Sequence, residues 1–206
     1  MRRTLGRAVG ILLLGAMLAL CATLALADDR QPPPWQRGGD RTTFQRWEFN
    51  SGDPNPVPDD LVNPYGTVAT TVAGQEWLQY YDNRVGVWRL GSIDVVIPNA
   101  PDHPDWTKLV WVQLTWGQVG LPSDVVQITV DGRLGQLIKS DVPAWNHTTW
   151  LFELPYNPQS ETLHVSGDIY VDELVIDTQC VPEPSSLLAL AGSVLGFAGI
   201  AWRRRR

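Results

Sequence analysis

The sequence predicts an all-β protein: a single antiparallel β-sandwich of jelly-roll type, flanked by an N-terminal signal helix and a C-terminal transmembrane helix. Three observations support this fold class. Apolar and polar residues alternate with a period of two through the middle of the chain. Turn-forming residues separate the alternating stretches at intervals of about 8–14 residues, as in β-sandwiches. No stretch sustains the period of a helix.

The alternation predicts about ten or eleven short strands. They cover residues 45–50, 66–72, 76–81, 85–90, 93–97, 108–116, 125–130, 133–139, 148–154, 163–165 and 168–177. Asp131 and Gly132, which separate two of these strands, are typical of the tight turn of a β-hairpin. Prolines cluster between the strands, where their missing N–H group removes no ladder hydrogen bond.

Asp172 and Glu173 interrupt the last predicted strand. Apolar positions before them (Ile169, Val171) and after them (Leu174) do not keep the same alternation. A β-bulge at this point explains the slip. The alternative is that the two carboxylates hold a structural calcium ion, which prefers oxygen ligands. Apart from that calcium, no cofactor is expected.

The N-terminus has the pattern of a secretory signal peptide, residues 1–27. Three arginines precede an apolar run, residues 8–26, and small residues occupy Ala25 and Ala27 before Asp28. An uncleaved membrane anchor is the alternative. Once the signal peptide is removed, Cys180 is the remaining cysteine. No intramolecular disulfide is therefore expected in the domain.

The rest of the chain divides into a spacer and one domain. Residues 28–40 are rich in proline, glycine and charge, and they are expected to form a disordered spacer. The β-sandwich domain is expected over residues 41–180. Between residues 28 and 182 there are 21 acidic and nine basic residues, which gives a net charge near −12. Such a surface repels phosphate backbones, so nucleic acid is not an expected partner.

Tryptophan is abundant in the predicted domain and its flanks: nine of the ten tryptophans lie between the two terminal segments. Most are expected in the core, including Trp116 and Trp150. Trp111 instead shares a more polar strand face with Gln113, and Trp106 and Trp145 lie in proline-flanked loops. Exposed aromatic rings can stack on sugars. The candidate glycan contacts are therefore Trp106, Trp111, Trp145 and Gln113.

Signatures of catalysis are missing from the sequence. There is no nucleophile elbow, zinc-protease motif, Walker loop or glycine-rich dinucleotide turn. Asp102, His103 and Asp105 share one loop and are interpreted as a solvated turn. We therefore assign no catalytic residue and expect a non-catalytic protein. A carboxylate pair suited to glycoside hydrolysis stays open as an alternative, because its separation is a property of the folded chain.

The C-terminal 26 residues combine three unlike elements in order. Val181–Ser186 reads VPEPSS, residues 187–202 are apolar, and four arginines follow: Arg203, Arg204, Arg205 and Arg206. This segment, residues 181–206, resembles the PEP-CTERM sorting signal. The resemblance implies export in a Gram-negative bacterium and handling by an exosortase, which acts near Pro182, Glu183 and Pro184. It also implies association with surface or exopolysaccharide-matrix proteins.

The length and the charges of the tail are those of a segment that spans a membrane. As a helix, residues 187–202 span about 24 Å, slightly less than a hydrocarbon core of about 30 Å. The four arginines hold the far end in the cytoplasm, so the domain faces the periplasm. We expect anchoring in the inner membrane before processing, and then a place at the cell surface or in the extracellular matrix. A plain anchor that is never cut is the alternative.

Two weaker resemblances concern the domain. Trp47-Glu48-Phe49 and Asn63-Pro64-Tyr65-Gly66 are similar to sandwich domains of other PEP-CTERM proteins. Ile169–Leu174 (IYVDEL) is similar to the closing strand of carbohydrate-binding jelly rolls. The function expected is that of an exported, non-catalytic surface or extracellular-matrix protein that binds glycans. The alternatives are a small glycan-active hydrolase or lyase, and a purely structural or protein-binding sandwich.

Overall fold

The computed structural model describes residues 29–120, 126–141 and 145–182. The chain divides into two compact units, Met1–Pro32 and Pro33–Arg206, and all the strands belong to the second. The predicted signal helix and the predicted transmembrane segment lie outside the described residues. Within the ranges described, no helix is long and apolar enough to cross a membrane.

Ten strands and no helix occur in the described part of the chain. They are β1 (Thr42–Trp47), β2 (Asp60–Val62), β3 (Ala69–Tyr81), β4 (Arg84–Pro98), β5 (Thr107–Gln118), β6 (Gln127–Val130), β7 (Arg133–Leu134), β8 (Gln136–Asp141), β9 (Asn146–Leu154) and β10 (Ser160–Val181). All pairings between them are antiparallel. The prediction of an all-β, antiparallel fold is confirmed.

The long strand β10 organises the sheet. Its first part pairs with β4 and β6, and its last part pairs with β1 and β5. Ile169–Val171 pair with β4 on one side and with β5 on the other. The strands therefore fall into two groups, β3-β4-β10-β6-β7 and β2-β1-β10-β5-β9-β8, joined through β10. This arrangement is consistent with a β-sandwich.

Three strands are longer than predicted, because each joins two of the predicted short strands. β3, β4 and β10 continue through bulges at Ala73/Gly74 and at Ser166/Ile169. Glycine allows this at the β3–β4 pairing: a Cβ on Gly74 would lie 2.3 Å from the Trp88 ring. The alternation breaks at such bulges although the strand continues, so a period-2 pattern divides one strand into two.

Two local predictions are confirmed. Asp131 and Gly132 have φ values of 48° and 73° and connect β6 to β7, as a type I′ turn requires. The predicted bulge near Asp172 is present as a register shift between Val171 and Glu173. It allows Val171 and Leu174 both to reach the core, where each is fully buried.

The core lies between the two groups of strands. Val95 of β4, Val112 of β5 and Ile176 of β10 are all fully buried in one apolar cluster. Trp116 belongs to this cluster and Trp150 packs against it, as predicted. Five tryptophans of the described domain are buried: Trp47, Trp88, Trp111, Trp116 and Trp145.

Residues 33–40, which were expected to belong to a disordered spacer, instead pack against the sheet. Trp35 meets Trp111 edge-on, with 6.2 Å between ring centroids. Arg37 forms an ion pair with Asp177 and lies 4.2 Å from the ring centroid of Phe44. The composition of this segment predicted flexibility, but its aromatic and arginine side chains have specific partners on the outer face of β1, β5 and β10.

Candidate functional site

The end of β10 leads directly into the predicted sorting motif. Cys180 and Val181 pair with Lys108 and Thr107 of β5, and Pro182 follows outside the strand. Proline cannot donate to a β-ladder, so the pairing ends where the motif begins. Glu183, Pro184 and Arg203–Arg206 lie outside the described residues.

Cys180 is fixed inside the domain. Its N–H group donates to the Arg41 carbonyl oxygen at 3.1 Å, and its thiol donates to Asn157 Oδ1 at 3.2 Å. The side chain is buried, and burial raises the pKa of the thiol. Because the thiolate is the reactive form, Cys180 is a structural rather than a reactive thiol.

Three aromatic side chains meet at the opposite end of β5. Tyr81 and Tyr170 stack with 4.0 Å between ring centroids and an interplanar angle of 28°. Trp145 meets Tyr81 edge-on at 6.3 Å. We call Tyr81, Trp145 and Tyr170 the aromatic patch. Tyr81 ends β3, and Tyr170 lies on β10 between the core residues Ile169 and Val171, so its ring faces away from the core.

Charged groups border the aromatic patch. Arg84 pairs with Asp172 at 2.5 Å, and its guanidinium lies 5.3 Å from the Trp145 ring centroid. The indole N–H of Trp145 donates to Asp82 Oδ2 at 3.1 Å. Flat aromatic faces beside a guanidinium and a carboxylate are the groups that sugar rings and their hydroxyls contact.

Backbone geometry sets the patch in place. Asp82 and Asn83 connect β3 to β4 with φ values of 46° and 62°, so the two strands turn tightly after Tyr81. Gly117 of β5 lies under Trp145: a Cβ there would be 3.4 Å from the indole ring. Burial raises the pKa of the Tyr81 hydroxyl, so the ring stays neutral at physiological pH.

The structure corrects three of the expected exposures. Trp111, Trp145 and Gln113 are only 6%, 4% and 5% exposed. The alternation placed Trp111 and Gln113 on the outer face correctly, but Trp35 packs against that face. The loop position of Trp145 suggested exposure, yet Tyr81 and Gly117 hold its ring.

Trp106 is half-buried and lies far from the aromatic patch. His103 stacks on its ring at 4.3 Å, and the Arg41 guanidinium is 4.4 Å from the ring centroid. Trp106 precedes the first residue of β5, whereas Trp145 packs on Gly117 near its end. The distance along the chain from Trp106 to Gly117 is about 36 Å, at about 3.3 Å per residue of an extended strand. The predicted glycan contacts therefore do not form one site.

Tyr81 and Tyr170 were missed by the sequence analysis. The signal for Tyr81 was available, because Tyr80-Tyr81-Asp82-Asn83 places aromatic residues next to a turn dipeptide. Tyr170 lies within the Ile169–Leu174 stretch noted in the sequence, but its stacking on Tyr81 depends on strand pairing, which no local pattern contains.

Asp172 and Glu173 face different arginines. Asp172 pairs with Arg84, and Glu173 Oε1 lies 3.7 Å from Arg46. No group of three His, Cys, Asp or Glu side chains that could hold a metal ion occurs among the described residues. A calcium site would need these two carboxylates as ligands, but each of them already lies against an arginine.

A small pocket lies in the loop between β1 and β2. Its volume is about 160 Å³, and Asp53 and Asp59 are among its lining residues. Ligand pockets commonly measure about 300–1,000 Å³, so this one is small for a sugar chain.

Comparisons with known proteins identify the tail. Residues 181–206 match the model of the PEP-CTERM protein-sorting motif. The resemblance inferred from the sequence is confirmed for this segment. No curated protein matches the chain in sequence.

Several solved structures share part of the chain's geometry. One is a family 35 carbohydrate binding module from Clostridium thermocellum, with 15% identity, 57% of this chain and 84% of that chain covered, and a TM-score of 0.27. Another is the CBM35 from Cellvibrio japonicus Abf62, with 10% identity, coverages of 66% and 91%, and a TM-score of 0.30. A third is the GH115 glucuronidase BtGH115A, with 12% identity, coverages of 72% and 19%, and a TM-score of 0.33. At TM-scores below 0.5, none of these assigns a ligand or an activity to this chain.

Proposed function

We propose that this chain is an exported protein which an exosortase processes at its C-terminus. It is then displayed at the cell surface or in the extracellular matrix, where its non-catalytic, jelly-roll-type sandwich binds polysaccharide. The match of residues 181–206 to the PEP-CTERM motif carries this proposal. Residues 1–27 act as the signal peptide, and residues 187–202 anchor the chain in the inner membrane before processing.

The position of the motif supports processing. β10 ends at Val181, and the motif continues from Pro182. A membrane enzyme needs an extended substrate segment outside the folded domain. The end of the β-ladder at Pro182 supplies such a boundary, while Cys180 remains buried in the domain.

The aromatic patch supports glycan binding. Tyr81 and Tyr170 lie beside Arg84 and Asp82, so the patch offers apolar ring surface together with a donor and an acceptor. The net charge near −12 of residues 28–182 disfavours phosphate-rich partners. No cofactor forms part of the proposal, because arginines already neutralise Asp172 and Glu173.

Affinity gel electrophoresis of the full chain in detergent tests glycan binding. The gel contains the exopolysaccharide of the bacterium that produces the protein, and neutral and acidic polysaccharides serve as comparisons. Tyr81→Ala should weaken binding roughly fivefold, because an aromatic contact contributes on the order of 1 kcal/mol. Tyr156→Ala is the control, because Tyr156 is exposed and lies near Arg133, but outside the patch.

A wild-type chain that no polysaccharide retards would remove glycan binding from the proposal. The second candidate function, a structural or protein-binding sandwich, would then stand, and the burial of five tryptophans favours it. A small hydrolase or lyase is the third candidate. Release of reducing ends from polysaccharide by the wild-type chain would establish it.

A further inference from the structure

Three polar side chains lie together in the interior of the domain. Lys108 of β5, Glu161 of β10 and Asn99, which follows β4, are 1%, 0% and 3% exposed. Lysine and glutamate are almost never fully buried unless they are paired. Lys108, Glu161 and Asn99 belong neither to the aromatic patch nor to the sorting motif, so their burial together needs its own explanation.

Hydrogen bonds and an ion-pair contact connect the three side chains. Lys108 Nζ donates to Asn99 Oδ1 at 2.5 Å, and Asn99 Nδ2 donates to Glu161 Oε2. The second carboxylate oxygen, Glu161 Oε1, lies 3.8 Å from Lys108 Nζ. Asn99 is held in place because Nδ2 also donates to the Pro158 carbonyl oxygen at 3.0 Å.

The amine is placed to attack the carboxamide. A C=O bond measures about 1.23 Å, so Asn99 Cγ lies no more than about 3.7 Å from Lys108 Nζ. Reacting atoms in a near-attack arrangement are about 3–3.5 Å apart, and a small side-chain rotation covers the difference.

The surroundings favour neutral groups. Lys108 lies directly opposite Leu154 of β9 and Cys180 of β10, and Leu154 is fully buried. Burial raises the pKa of Glu161 to about 7, against an attraction to Lys108 and a hydrogen bond from Asn99 that lower it. Glu161 Oε1 accepts no hydrogen bond. Burying an ammonium and a carboxylate that do not hydrogen-bond directly to each other is costly, which disfavours the ionised form of Glu161.

We propose that Lys108 and Asn99 react to form an intramolecular isopeptide bond, with Glu161 as the group that transfers the protons. Glu161 first takes a proton from the Lys108 ammonium, which leaves a neutral amine. The Nζ lone pair then forms a bond to Asn99 Cγ, and the carbonyl electrons move to Oδ1.

The bond between Cγ and Nδ2 breaks as the carbonyl re-forms. Glu161 donates its proton to Nδ2, which departs as ammonia, and takes up a proton from Nζ. The products are a secondary amide, one ammonia molecule and a protonated Glu161. All atoms and protons are accounted for, and the step needs no oxidant, reductant or metal.

The bond joins the two groups of strands covalently. Asn99 follows β4 in one group, and Lys108 belongs to β5 in the other. The domain has one free cysteine among its described residues and so no intramolecular disulfide there. An amide formed in the folded chain would give an exported protein a cross-link that reducing agents and ordinary proteases do not cut.

Mass spectrometry of a tryptic digest of the purified full chain tests the proposal. Lys108 is the only trypsin site between Arg89 and Arg133. We expect a peptide of residues 90–133 whose mass is lower than the sequence mass by one ammonia molecule. Fragmentation should give no single-cleavage ions between Asn99 and Lys108, because the bond closes a ring there.

Variants separate the proposed reaction from other losses of ammonia. Glu161→Gln keeps the shape of the side chain but cannot transfer protons, so residues 90–108 and 109–133 should appear as separate peptides of unmodified mass. Lys108→Arg should also prevent the loss of ammonia. Cys180→Ser should leave the cross-link unchanged, although Cys180 Sγ lies 3.7 Å from Lys108 Nζ. Lys139→Arg, at an exposed lysine, should have no effect.

A wild-type chain with native tryptophan fluorescence that yields unmodified peptides 90–108 and 109–133 would overturn the proposal. A Glu161→Gln variant that still loses ammonia and keeps residues 90–133 linked would also overturn the role of Glu161.

Discussion

Arg37 holds Asp177 with two parallel hydrogen bonds across 140 residues of sequence. Arg37 Nε and Nη2 donate to Asp177 Oδ1 and Oδ2 at 2.6 and 2.7 Å. The Asp177 side chain is fully buried, whereas that of Arg37 is 26% exposed. Bidentate pairs of this kind are among the stronger hydrogen-bonded contacts in proteins. The pair makes residues 33–40 part of the domain rather than a spacer before it.

Replacing Arg37 should destabilise the domain. Arg37→Ala leaves the buried Asp177 carboxylate without this partner, so we expect the free energy of unfolding to fall by about 1–3 kcal/mol. Urea unfolding followed by tryptophan fluorescence measures the change. Arg89→Ala is the control, because Arg89 pairs with Asp168 in a similar two-point geometry at an exposed site. Equal losses in the two variants would contradict the importance of burial.

Glu161 should make stability depend on pH. Burial raises the pKa of Glu161 from its ordinary value near 4.5 to about 7 in the folded chain. Between these pH values the folded state holds more protons than the unfolded state, so stability should fall as pH rises from about 4.5 to about 7, by at most about 1.4 kcal/mol per pH unit.

The measurement that tests Glu161 is the slope of the free energy of unfolding against pH, not the absolute free energy. Glu161→Gln should flatten the dependence in this window, and Glu153→Gln, at an exposed position of β9, should not. Formation of the isopeptide bond leaves the carboxyl group buried, so the sign of the slope does not depend on that bond. Parallel slopes in the wild type and Glu161→Gln would show that another group titrates.

Gly86 and Gly132 provide a matched test of backbone crowding. Their φ values are similar, +76° and +73°, but a Cβ on Gly86 would lie 2.5 Å from the Phe49 carbonyl oxygen. A Cβ on Gly132 would have no heavy atom within 4 Å apart from those of its two neighbours in the chain. Alanine at Gly132 should cost about 1 kcal/mol through φ strain alone. Alanine at Gly86 should cost about 1–3 kcal/mol more because backbone must move. Thermal unfolding compares the two variants, and similar melting temperatures would contradict this account.

The sorting motif should control processing. Replacing Pro182, Glu183 and Pro184 with alanine should leave the protein at full length in the membrane fraction, because the exosortase no longer recognises it. Immunoblots of cell fractions measure this outcome. Alanine at Ser185 and Ser186, next to the motif, is the control and should be processed normally. Normal processing of the triple-alanine variant would refute recognition through this motif.

Much of the fold could be predicted because its information is local. The alternation in residues 108–116 and 148–154 predicted β5 and β9 and the faces they bury. The Asp131-Gly132 pair favours the positive φ values of a tight turn. The break in the alternation of apolar residues before Glu173 indicates the bulge. Both signals lie within a few residues of sequence. Long strands were divided into shorter ones because bulges break the pattern without ending the pairing.

The candidate sites could be predicted only in part. Trp145 was identified, but Tyr81, which it meets edge-on, and Tyr170, which stacks on Tyr81, are 89 residues apart in sequence and meet only through strand pairing. Burial of Trp111 depended on Trp35, in a segment whose composition indicated disorder. Asn99, Lys108 and Glu161 each have ordinary surroundings in sequence, and nothing in a local window indicates that the three meet in the interior.

By itself, the sequence determined the all-β class, the main turns and the sorting tail, because periodicity, turn propensity and a contiguous motif act over short stretches of chain. The tertiary structure decided which tryptophans are buried, that Arg37 binds Asp177, and that Lys108, Asn99 and Glu161 share one site. These outcomes depend on β10 pairing with strands from both halves of the chain. Long-range pairing brings side chains together and excludes water from them, and both effects are absent from any single segment.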